Sequence, residues 1–482
     1  MVLKSPPLQS PTTRKAWATA IASPASEFAT TALPILSGHI PAGLHGTLYR
    51  NGPARLERGG ERVGHWFDGD GAVLAVHLSE TGATGTYRYV HSAGYTAEDE
   101  ADQFLYRGYG TLPPGRFWQR MKSQFKNAAN TSVLALPDRL LALWEGGFPH
   151  ALDLETLETL GPDDLGSLAG DETYSAHPKR HARTGDIFNC GVVAGANATL
   201  NLYRSNASGR IVKKQGLELN GIPLLHDFVL ADRYLVFCVP PVRMNALPAV
   251  LGLKSFSDAL MWQPKYGTQI LVVDADSFEV VGWNQVDPWF QWHFGKGHLD
   301  RNGQIVLEVV AYSDFRTNQH LKEVASGKTT TWSPSQFWRL HINPHTAEIS
   351  DREVLVDRHC EFPVVASDTF FPEDAATFLA VHRQDGNMAT ELFGAIARFD
   401  PKTNTLTMAD AGENRYPSEP IYAPDASRTE QGWILTVVYD GNTDRSEVWI
   451  YDSAHLDQEP ICRLGLPKVI PHSFHGAWQA QE

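Results

Sequence analysis

The stretch "ILVVDADSFEVV" (residues 270–281) is a run of apolar and β-branched residues that is interrupted by Asp-Ala-Asp-Ser and then resumes. This pattern is typical of two strands joined by a tight turn. The same unit recurs along the chain, at residues 151–160, 200–212, 338–349, 396–407 and 448–464. Such repetition indicates a β-propeller, while a β-sandwich or two β-barrels stay open as alternatives because the spacing is irregular.

The chain has 482 residues, and its 40 Gly and 30 Pro are spread evenly, as in proteins built from many short strands and turns. Residues 1–26 contain no Asp or Glu and are rich in Ser, Thr, Pro and Ala. We therefore expect a flexible N-terminal tail over residues 1–30, with a transit peptide as the alternative, followed by a single all-β domain over residues 31–482. The segment 114–127 is the one plausible amphipathic helix.

Composition excludes several classes of function. The net charge of −14 argues against a nucleic-acid partner, since phosphate binding requires clustered Lys and Arg. The four cysteines form no Cys-x-x-Cys pair, which indicates a reducing compartment. No apolar run approaches the roughly 18 residues that a membrane span requires. We expect a cytoplasmic monomer.

Four of the 19 histidines have apolar or aromatic neighbours, and each is predicted to point inward near a strand end. They are His177, His226, His293 and His475. They are separated by 49, 67 and 182 residues, which fits one, one and about three propeller blades. Because the inner strands of a propeller all face one axis, histidines from different blades can converge on a central metal. Four imidazoles suit Fe, Zn, Cu or Ni.

Three glutamates, Glu145, Glu361 and Glu419, also lie in apolar surroundings. Each is either a surface or strand-end acid, or a carboxylate that accepts the second N–H of a metal-bound histidine, as such histidines usually require. The C-terminal "PHSFHGAW" (471–478) raises the same choice for His472 and His475, because chain ends are usually poorly ordered.

At this level of detail the chain resembles the carotenoid cleavage oxygenases, and most closely their bacterial apocarotenoid-cleaving branch. The resemblance is carried by "IPAGLHGTLYRNGP" (40–53), "HWFDGDGAV" (65–73), "NAANTSVLALPDRLLALWEGGFPH" (127–150) and "IPHSFHGAW" (470–478). It implies a seven-bladed β-propeller covered by an α-helical dome, with one Fe²⁺ per chain and O2 as co-substrate.

The resemblance also implies the roles of single residues. His177, His226, His293 and His475 match the family's iron ligands, and Glu145, Glu361 and Glu419 match the glutamates that orient them. Thr131 matches the threonine near the open iron position, and His472 is then not a ligand. Around His293 the sequence "HFGKGHLDRNG" departs from the family pattern, with Lys296 in place of the usual Asn and His298 as an extra candidate; we expect His293 to be the ligand.

The activity implied is oxidative cleavage of a conjugated C=C bond of a carotenoid or apocarotenoid to two carbonyl products. Trp144 stands where the stilbene-cleaving branch usually has a lysine, which favours an apolar polyene over a phenolic stilbene. A stilbene-cleaving dioxygenase or a retinoid isomerohydrolase of the same family, and a non-catalytic propeller that binds a partner, are the alternatives. Segments 246–262 and 114–127, with Arg116, Arg120, Lys122 and Lys126, are predicted either to dip into a membrane face or to cover the core.

Overall fold

The computed structural model describes residues 15–366, 374–384, 386–428 and 431–481. Seven antiparallel sheets, here called blades 1 to 7, account for most of its strands. The first four contain these strands: blade 1, Gly476–Ala480, Gly46–Arg55, Asp70–Ser79, Gly82–Tyr89 and Phe28–Leu33; blade 2, Ser132–Ala135, Leu140–Leu143, His150–Leu152 and Thr159–Pro162; blade 3, Lys179–Arg180, Ile187–Val193, Ala198–Ser205 and Ile211–Leu219; blade 4, Val229–Ala231, Tyr234–Val239, Thr268–Asp274 and Val280–Val286.

The remaining blades follow in chain order: blade 5, Phe290–Leu299, Ile305–Tyr312, Ser335–Ile342 and Ile349–Val356; blade 6, Cys360–Val365, Thr377–Val381, Ala395–Asp400 and Thr405–Asp410; blade 7, Arg415–Pro417, Ile421–Pro424, Gly432–Asp440, Arg445–Asp452, Cys462–Gly465 and Ile35–Gly38. Two small hairpins stand apart, Glu57–Arg58 with Glu61–Arg62 and Val242–Met244 with Leu260–Trp262. The predicted seven-bladed propeller is therefore confirmed, and the sandwich and two-barrel alternatives are wrong.

The repeat that indicated the fold forms as predicted. In blade 4 the two strands pair with Val272 opposite Gly282. The Asp274 carboxylate closes the turn by accepting hydrogen bonds from the backbone N–H groups of Asp276 at 3.1 Å and Ser277 at 2.9 Å. An aspartate that bonds to the backbone two and three residues on is a common way to stabilise such a turn.

Apolar side chains between the blades hold the ring together. Seven buried clusters each join two neighbouring blades, including one between blades 7 and 1. Both chain ends close the ring: Gly476–Ala480 is the inner strand of blade 1, where Gly476 pairs with Arg50, and Ile35–Gly38 is the outer strand of blade 7. The C-terminus is ordered because it supplies a strand that blade 1 otherwise lacks.

The predicted flexible tail over residues 1–30 is wrong in its described part; residues 1–14 lie outside the described residues. A 3₁₀-helix at Ala16–Thr19 buries Trp17 completely, and the indole N–H of Trp17 donates to the carbonyl of Thr390 at 3.0 Å. Phe28–Leu33 is already the outer strand of blade 1. Within residues 15–26, the described part of the acid-poor segment, Trp17 and Ile21 are buried.

Helices are few and short: Ala93–Ala101, Phe117–Arg120, Ala246–Val250, Phe256–Ala259 and Arg316–Ala325, with further 3₁₀ turns at Trp66–Asp68 and Pro264–Tyr266. They lie in connections between strands, and Phe256–Ala259 and Arg316–Ala325 supply side chains to the axial cavity described below. Within the described residues, no helix is long and apolar enough to cross a membrane.

The helix predicted over residues 114–127 is mostly wrong, since only Phe117–Arg120 is helical. Its apolar side chains, Phe117, Met121 and Phe125, are 43–47% exposed and find no core to pack on, and helices draw most of their stability from such packing. Lys126 does not face solvent either: it is buried and its ammonium lies 2.7 Å from the Glu98 carboxylate. The prediction that Lys126 reaches a lipid headgroup is therefore wrong.

Candidate metal centre

The four predicted histidines come from four different blades. His177 and His226 lie in the loops that enter blades 3 and 4, His293 lies in the inner strand of blade 5, and His475 immediately precedes the inner strand of blade 1. The inner strands of neighbouring blades contact one another around the axis, so these positions face a common point. One ring nitrogen of each histidine lies within 4.8 Å of those of the others, and all four side chains are buried.

Each of the three predicted glutamates contacts the Nδ1 atom of one of these histidines. Nδ1 of His293 lies 2.5 Å from Glu361 Oε2, and Nδ1 of His475 lies 2.8 Å from Glu419 Oε1. Glu145 contacts Nδ1 of His226 in the same way. Within the described ranges His177 has no carboxylate partner; its backbone N–H bonds to Ser175 Oγ at 3.2 Å.

These contacts fix the protonation of the rings. A carboxylate can only accept, so it holds the proton of a neutral imidazole on Nδ1 and leaves a lone pair on Nε2. The Nε2 atoms of His177 and His226 are 3.0 Å apart, and those of His226 and His293 are 3.2 Å apart. Burial and the three other histidines hold the pKa of His177 well below its usual value, so this ring is neutral.

Ring nitrogens this close together are stabilised by a cation. Lone pairs that face one another at this distance repel unless a positive ion lies between them. Four neutral nitrogen ligands and three nearby carboxylates provide the donor set and the compensating charge for one divalent transition metal. The side chains present therefore fit a metal ion, and the donor type suits iron among others.

The environments of the three glutamates differ, and the sequence did not indicate the groups that cause the difference. Tyr312 donates its hydroxyl to Glu361 Oε1 at 2.8 Å, and Arg50 donates to Glu419 Oε2 at 3.0 Å. Arg50 is fully buried, and together with His475 it outweighs the effect of burial and lowers the pKa of Glu419. The side chain of Glu145 is 31% exposed. The position of Arg50 within the apolar strand "GTLYRNGPAR" was the available signal for this arginine.

Phe362 is a third residue that sequence reasoning missed. Its φ of 55° is unusual for a residue with a side chain, and it places the backbone N–H 2.9 Å from Glu361 Oε2. The ring of Phe362 stacks on His293, with 5.3 Å between the ring centroids. Strain of this kind is found where backbone geometry serves a site, and here it orients both a histidine and its carboxylate.

Of the remaining predicted residues, one lies beside the histidine cluster and three lie outside it. Thr131 lines the cavity beside the histidines, and its carbonyl accepts the backbone N–H of His475 at 3.2 Å. His472 lies outside the cluster and contacts the Trp17 carbonyl at 2.9 Å. His298 is not part of the cluster, and Lys296 is buried in the wall of blade 5, where it donates to the Ala375 carbonyl at 2.7 Å.

Three of the four histidines, His226, His293 and His475, line a cavity of about 610 Å³. Aromatic and aliphatic side chains supply most of its wall, among them Phe67, Trp144, Leu224, Phe256, Trp292 and Phe393. A pocket of this size with few polar groups is typical of a site for an apolar small molecule.

A seven-bladed propeller with four axial histidines, three of them backed by glutamates, defines a class of metal-binding enzymes. The family model for retinal pigment epithelial membrane protein, RPE65, matches residues 21–480, and the chain belongs to this family, that of the carotenoid oxygenases. The resemblance seen in the sequence is therefore confirmed.

Two curated relatives show the range of the family. The chain is 32% identical to apocarotenoid-15,15'-oxygenase of Synechocystis over 92% of each chain. It is 25% identical to resveratrol cleavage oxygenase 1 of Aspergillus fumigatus, over 92% of this chain and 91% of the relative. A solved structure of a Synechocystis apocarotenoid oxygenase variant superimposes with a TM-score of 0.88 at 29% identity, covering 97% of this chain and 98% of that one. The prediction that the chain is an oxygenase enzyme is confirmed by these matches.

Proposed function

We propose that this protein is a non-haem iron(II) dioxygenase that cleaves a conjugated C=C bond of a carotenoid or apocarotenoid with O2 and releases two aldehydes. The observation that carries the proposal is a four-histidine, three-glutamate centre that opens into an apolar cavity. Membership of the carotenoid oxygenase family supports it.

Four histidines would hold one Fe²⁺ through Nε2 and leave part of its coordination sphere open. Iron bound there supplies the O2 chemistry of the cleavage. The residues of this chain orient the imidazoles, compensate the charge and exclude water. No Ser-His-Asp arrangement is needed, since nothing in this reaction requires a protein nucleophile.

An apolar polyene is the substrate class that the cavity fits best. Trp144 lines the cavity directly before Glu145, where the resemblance places a lysine in stilbene-cleaving members. An indole can contact a polyene but cannot bind a phenolate as an ammonium does. The 32% identity to an apocarotenoid oxygenase supports the same choice.

We further propose that the enzyme takes its substrate from a membrane surface. Exposed side chains from segments 105–125 and 247–253 form one apolar patch: Leu105, Phe117, Trp118, Met121, Phe125, Leu247, Val250 and Leu253. The two segments are packed together, since the guanidinium of Arg107 bonds to the Ala249 carbonyl at 3.3 Å and lies over the Phe125 ring.

Two features favour a lipid surface as the occupant of this apolar patch. Phe125 belongs both to the patch and to the wall of the axial cavity, so the patch adjoins the route to the metal centre. Arg116, Lys122 and Lys254 are exposed in the same two segments and would face anionic headgroups. An apolar face with basic residues around it is the usual pattern of a peripheral membrane contact.

The proposed reaction is tested on protein purified without oxygen. Metal analysis should find about one iron per chain, and incubation of the iron-loaded enzyme with 8'-apo-β-carotenal and O2 should yield two carbonyl fragments. With a retinoid ester in place of the apocarotenal, hydrolysis to an isomerised alcohol and a fatty acid without O2 would instead identify an isomerohydrolase. Protein without iron that forms no product would identify a binding module.

A further inference from the structure

The cavity has a second cluster of histidines that the metal centre does not use. His320, His359 and His382 line its far end together with Phe393, Glu391 and Tyr416, and this end is called the histidine arm. These residues belong to blades 5 and 6 and to the connection that enters blade 7, whereas the wall near Thr173, Val192 and Leu224 belongs to blades 3 and 4. The arm therefore extends to one side of the metal centre.

Aromatic rings form a continuous wall between the metal centre and the histidine arm. Phe362 stacks on His293, and its ring lies 6.4 Å from that of Phe393. Phe393 in turn lies 5.3 Å from His359 and 4.8 Å from His382, measured between ring centroids. A polyene that lies along this wall reaches from the metal to the histidines.

The two outer histidines have opposite hydrogen-bonding roles. Nδ1 of His359 accepts the backbone N–H of Ser335 at 3.2 Å, so a neutral ring carries its proton on Nε2. Nδ1 of His320 lies 3.0 Å from the Thr331 carbonyl, which can only accept, so its proton is on Nδ1 and Nε2 is bare. The arm therefore contains one histidine with a free donor and one with a free acceptor.

His382 adds a third polar group. It is 3% exposed and its ring stacks on His359 with 5.1 Å between centroids. Within the described parts of the chain, neither of its ring nitrogens has a hydrogen-bond partner. His382 lines the cavity, so a ligand or ordered water there can bond to its ring nitrogens.

The arm is also uncharged overall. Burial lowers the pKa of His382 to about 3 and holds that of His359 well below its usual value, so both rings are neutral. Glu391 receives the hydroxyl of Tyr416 at 2.8 Å and pairs with the Lys15 ammonium at 2.7 Å, which compensates its charge. Among the described residues no lysine or arginine lines the cavity, so the arm offers a ligand carboxylate no cation to pair with.

We propose that the histidine arm binds a terminal hydroxyl group of the polyene substrate. A hydroxyl both accepts and donates, so it can use the donor of His359 and the acceptor of His320, whereas an aldehyde can only accept and a hydrocarbon end can do neither. This inference rests on the proposed function, and it narrows the substrate class to oxygenated apocarotenoids that carry an alcohol.

The test compares two probes that differ in one group, 8'-apo-β-carotenal with and without a hydroxyl on its ring. Binding is measured under argon on the purified full-length protein, from the shift of the polyene absorbance and the quenching of tryptophan fluorescence, so that no turnover is needed. The hydroxylated probe should bind about tenfold more tightly, the contribution expected of well-made hydrogen bonds in a buried site.

His320→Phe and His382→Phe keep a ring in place and remove its nitrogens. Each should cancel most of this tenfold preference while the affinity for the probe without the hydroxyl changes less than twofold. His150→Phe is the matched control, because His150 is also buried but lies in blade 2 outside the cavity lining, and it should keep the preference.

Equal affinity of the wild-type protein for the two probes would overturn the proposal, as would a preference that survives both variants. The same samples exposed to air test the proposed cleavage reaction separately from the binding preference. A protein that prefers the hydroxylated probe but cleaves neither probe retains the histidine arm and contradicts the dioxygenase function. A protein that cleaves both probes but binds them with equal affinity supports the dioxygenase function and contradicts the proposed role of the histidine arm.

Discussion

Arg50 and Glu419 form a buried ion pair directly behind His475, with 3.0 Å between Nη1 and Oε2 and only 1% of the arginine side chain exposed. The second guanidinium nitrogen of Arg50 bonds to Ser473 Oγ at 2.9 Å and to the Phe474 carbonyl at 3.1 Å. One arginine thus connects the carboxylate that contacts His475, a candidate metal ligand, to the C-terminal segment that carries this histidine. The metal centre and the closure of the ring are therefore coupled at this point.

This coupling predicts that the three glutamates respond differently to substitution. Glu145→Gln, Glu361→Gln and Glu419→Gln should each lower iron retention or initial rate about 10–100-fold, as is usual for groups that orient metal ligands. Glu419→Gln alone should also lower the free energy of unfolding, by about 3 kcal/mol, because it leaves the buried Arg50 charge without its partner. Iron per chain, initial rate and urea denaturation measure these effects.

The control for this series is Glu413→Gln, a change at an exposed acid in the connection just before the strand Arg415–Pro417. It should match the wild-type protein in all three measurements. If Glu419→Gln unfolds at the same urea concentration as Glu145→Gln, the Arg50–Glu419 pair does not have the structural role inferred here.

The second prediction concerns the ligands themselves. His177→Ala, His226→Ala, His293→Ala and His475→Ala should each abolish or severely reduce bound iron while the protein stays folded, since the cores between the blades do not depend on the axis. His298→Ala, two positions beyond the buried Lys296, should retain iron. Iron analysis and circular dichroism check both results, and a His475→Ala protein with full iron content contradicts the four-histidine site.

The third prediction concerns Tyr312, which sequence reasoning did not find. Tyr312→Phe removes the hydroxyl that donates to Glu361 and leaves the ring in place. Hydrogen bonds to charged groups contribute about 1.5–3 kcal/mol, so iron affinity should fall about tenfold or more. Competition with a chelator gives this affinity, and Tyr416→Phe, whose hydroxyl bonds to Glu391 instead, should leave it unchanged.

The fourth prediction is a loss of stability in acid. Burial lowers the pKa of His65 to about 3 and those of His150 and His472 to about 4, below the value near 6.5 of an unfolded chain. Between about pH 6.5 and pH 4 the unfolded state binds these protons and the folded state does not. Stability is therefore fully present above pH 6.5 and falls as the pH drops towards 4.

Chemical denaturation at a series of pH values measures this dependence. His150→Phe removes one of these protonation sites. The slope of the free energy of unfolding against pH should therefore fall by about 1.4 kcal/mol per pH unit over this range. His39→Gln, at an exposed histidine, is the control and should keep the wild-type slope. An unaltered slope in His150→Phe contradicts the assignment of a buried neutral ring.

The fifth prediction tests the apolar patch. Trp118→Ser with Leu247→Ser removes two side chains that are 46% and 69% exposed, so the fold should be unaffected. Binding to vesicles with 20–30% anionic lipid, a composition chosen to resemble a cytoplasmic leaflet, should fall about tenfold in a flotation assay. Leu160→Ser, at a 62% exposed leucine on blade 2, serves as the control and should bind as the wild-type protein does.

The sequence by itself determined the local elements and indicated the candidate metal-binding groups. Strand–turn–strand units such as residues 270–281 depend on β-branched residues and on an aspartate that closes the turn, and both are local properties. His177, His226, His293 and His475 were found because a histidine among aromatic residues must be satisfied when it is buried. Glu145, Glu361 and Glu419 were found for the same reason.

Only the tertiary structure decided how distant groups meet. The roles of Arg50 and Tyr312 depend on which blade each faces, and no local pattern in the chain carries that information. The same holds for Trp17, Lys126 and the helix predicted over residues 114–127, whose burial or exposure is set by what packs against them rather than by their own composition. The histidine arm likewise exists only because ring closure brings residues from blades 5 to 7 to one end of a shared cavity.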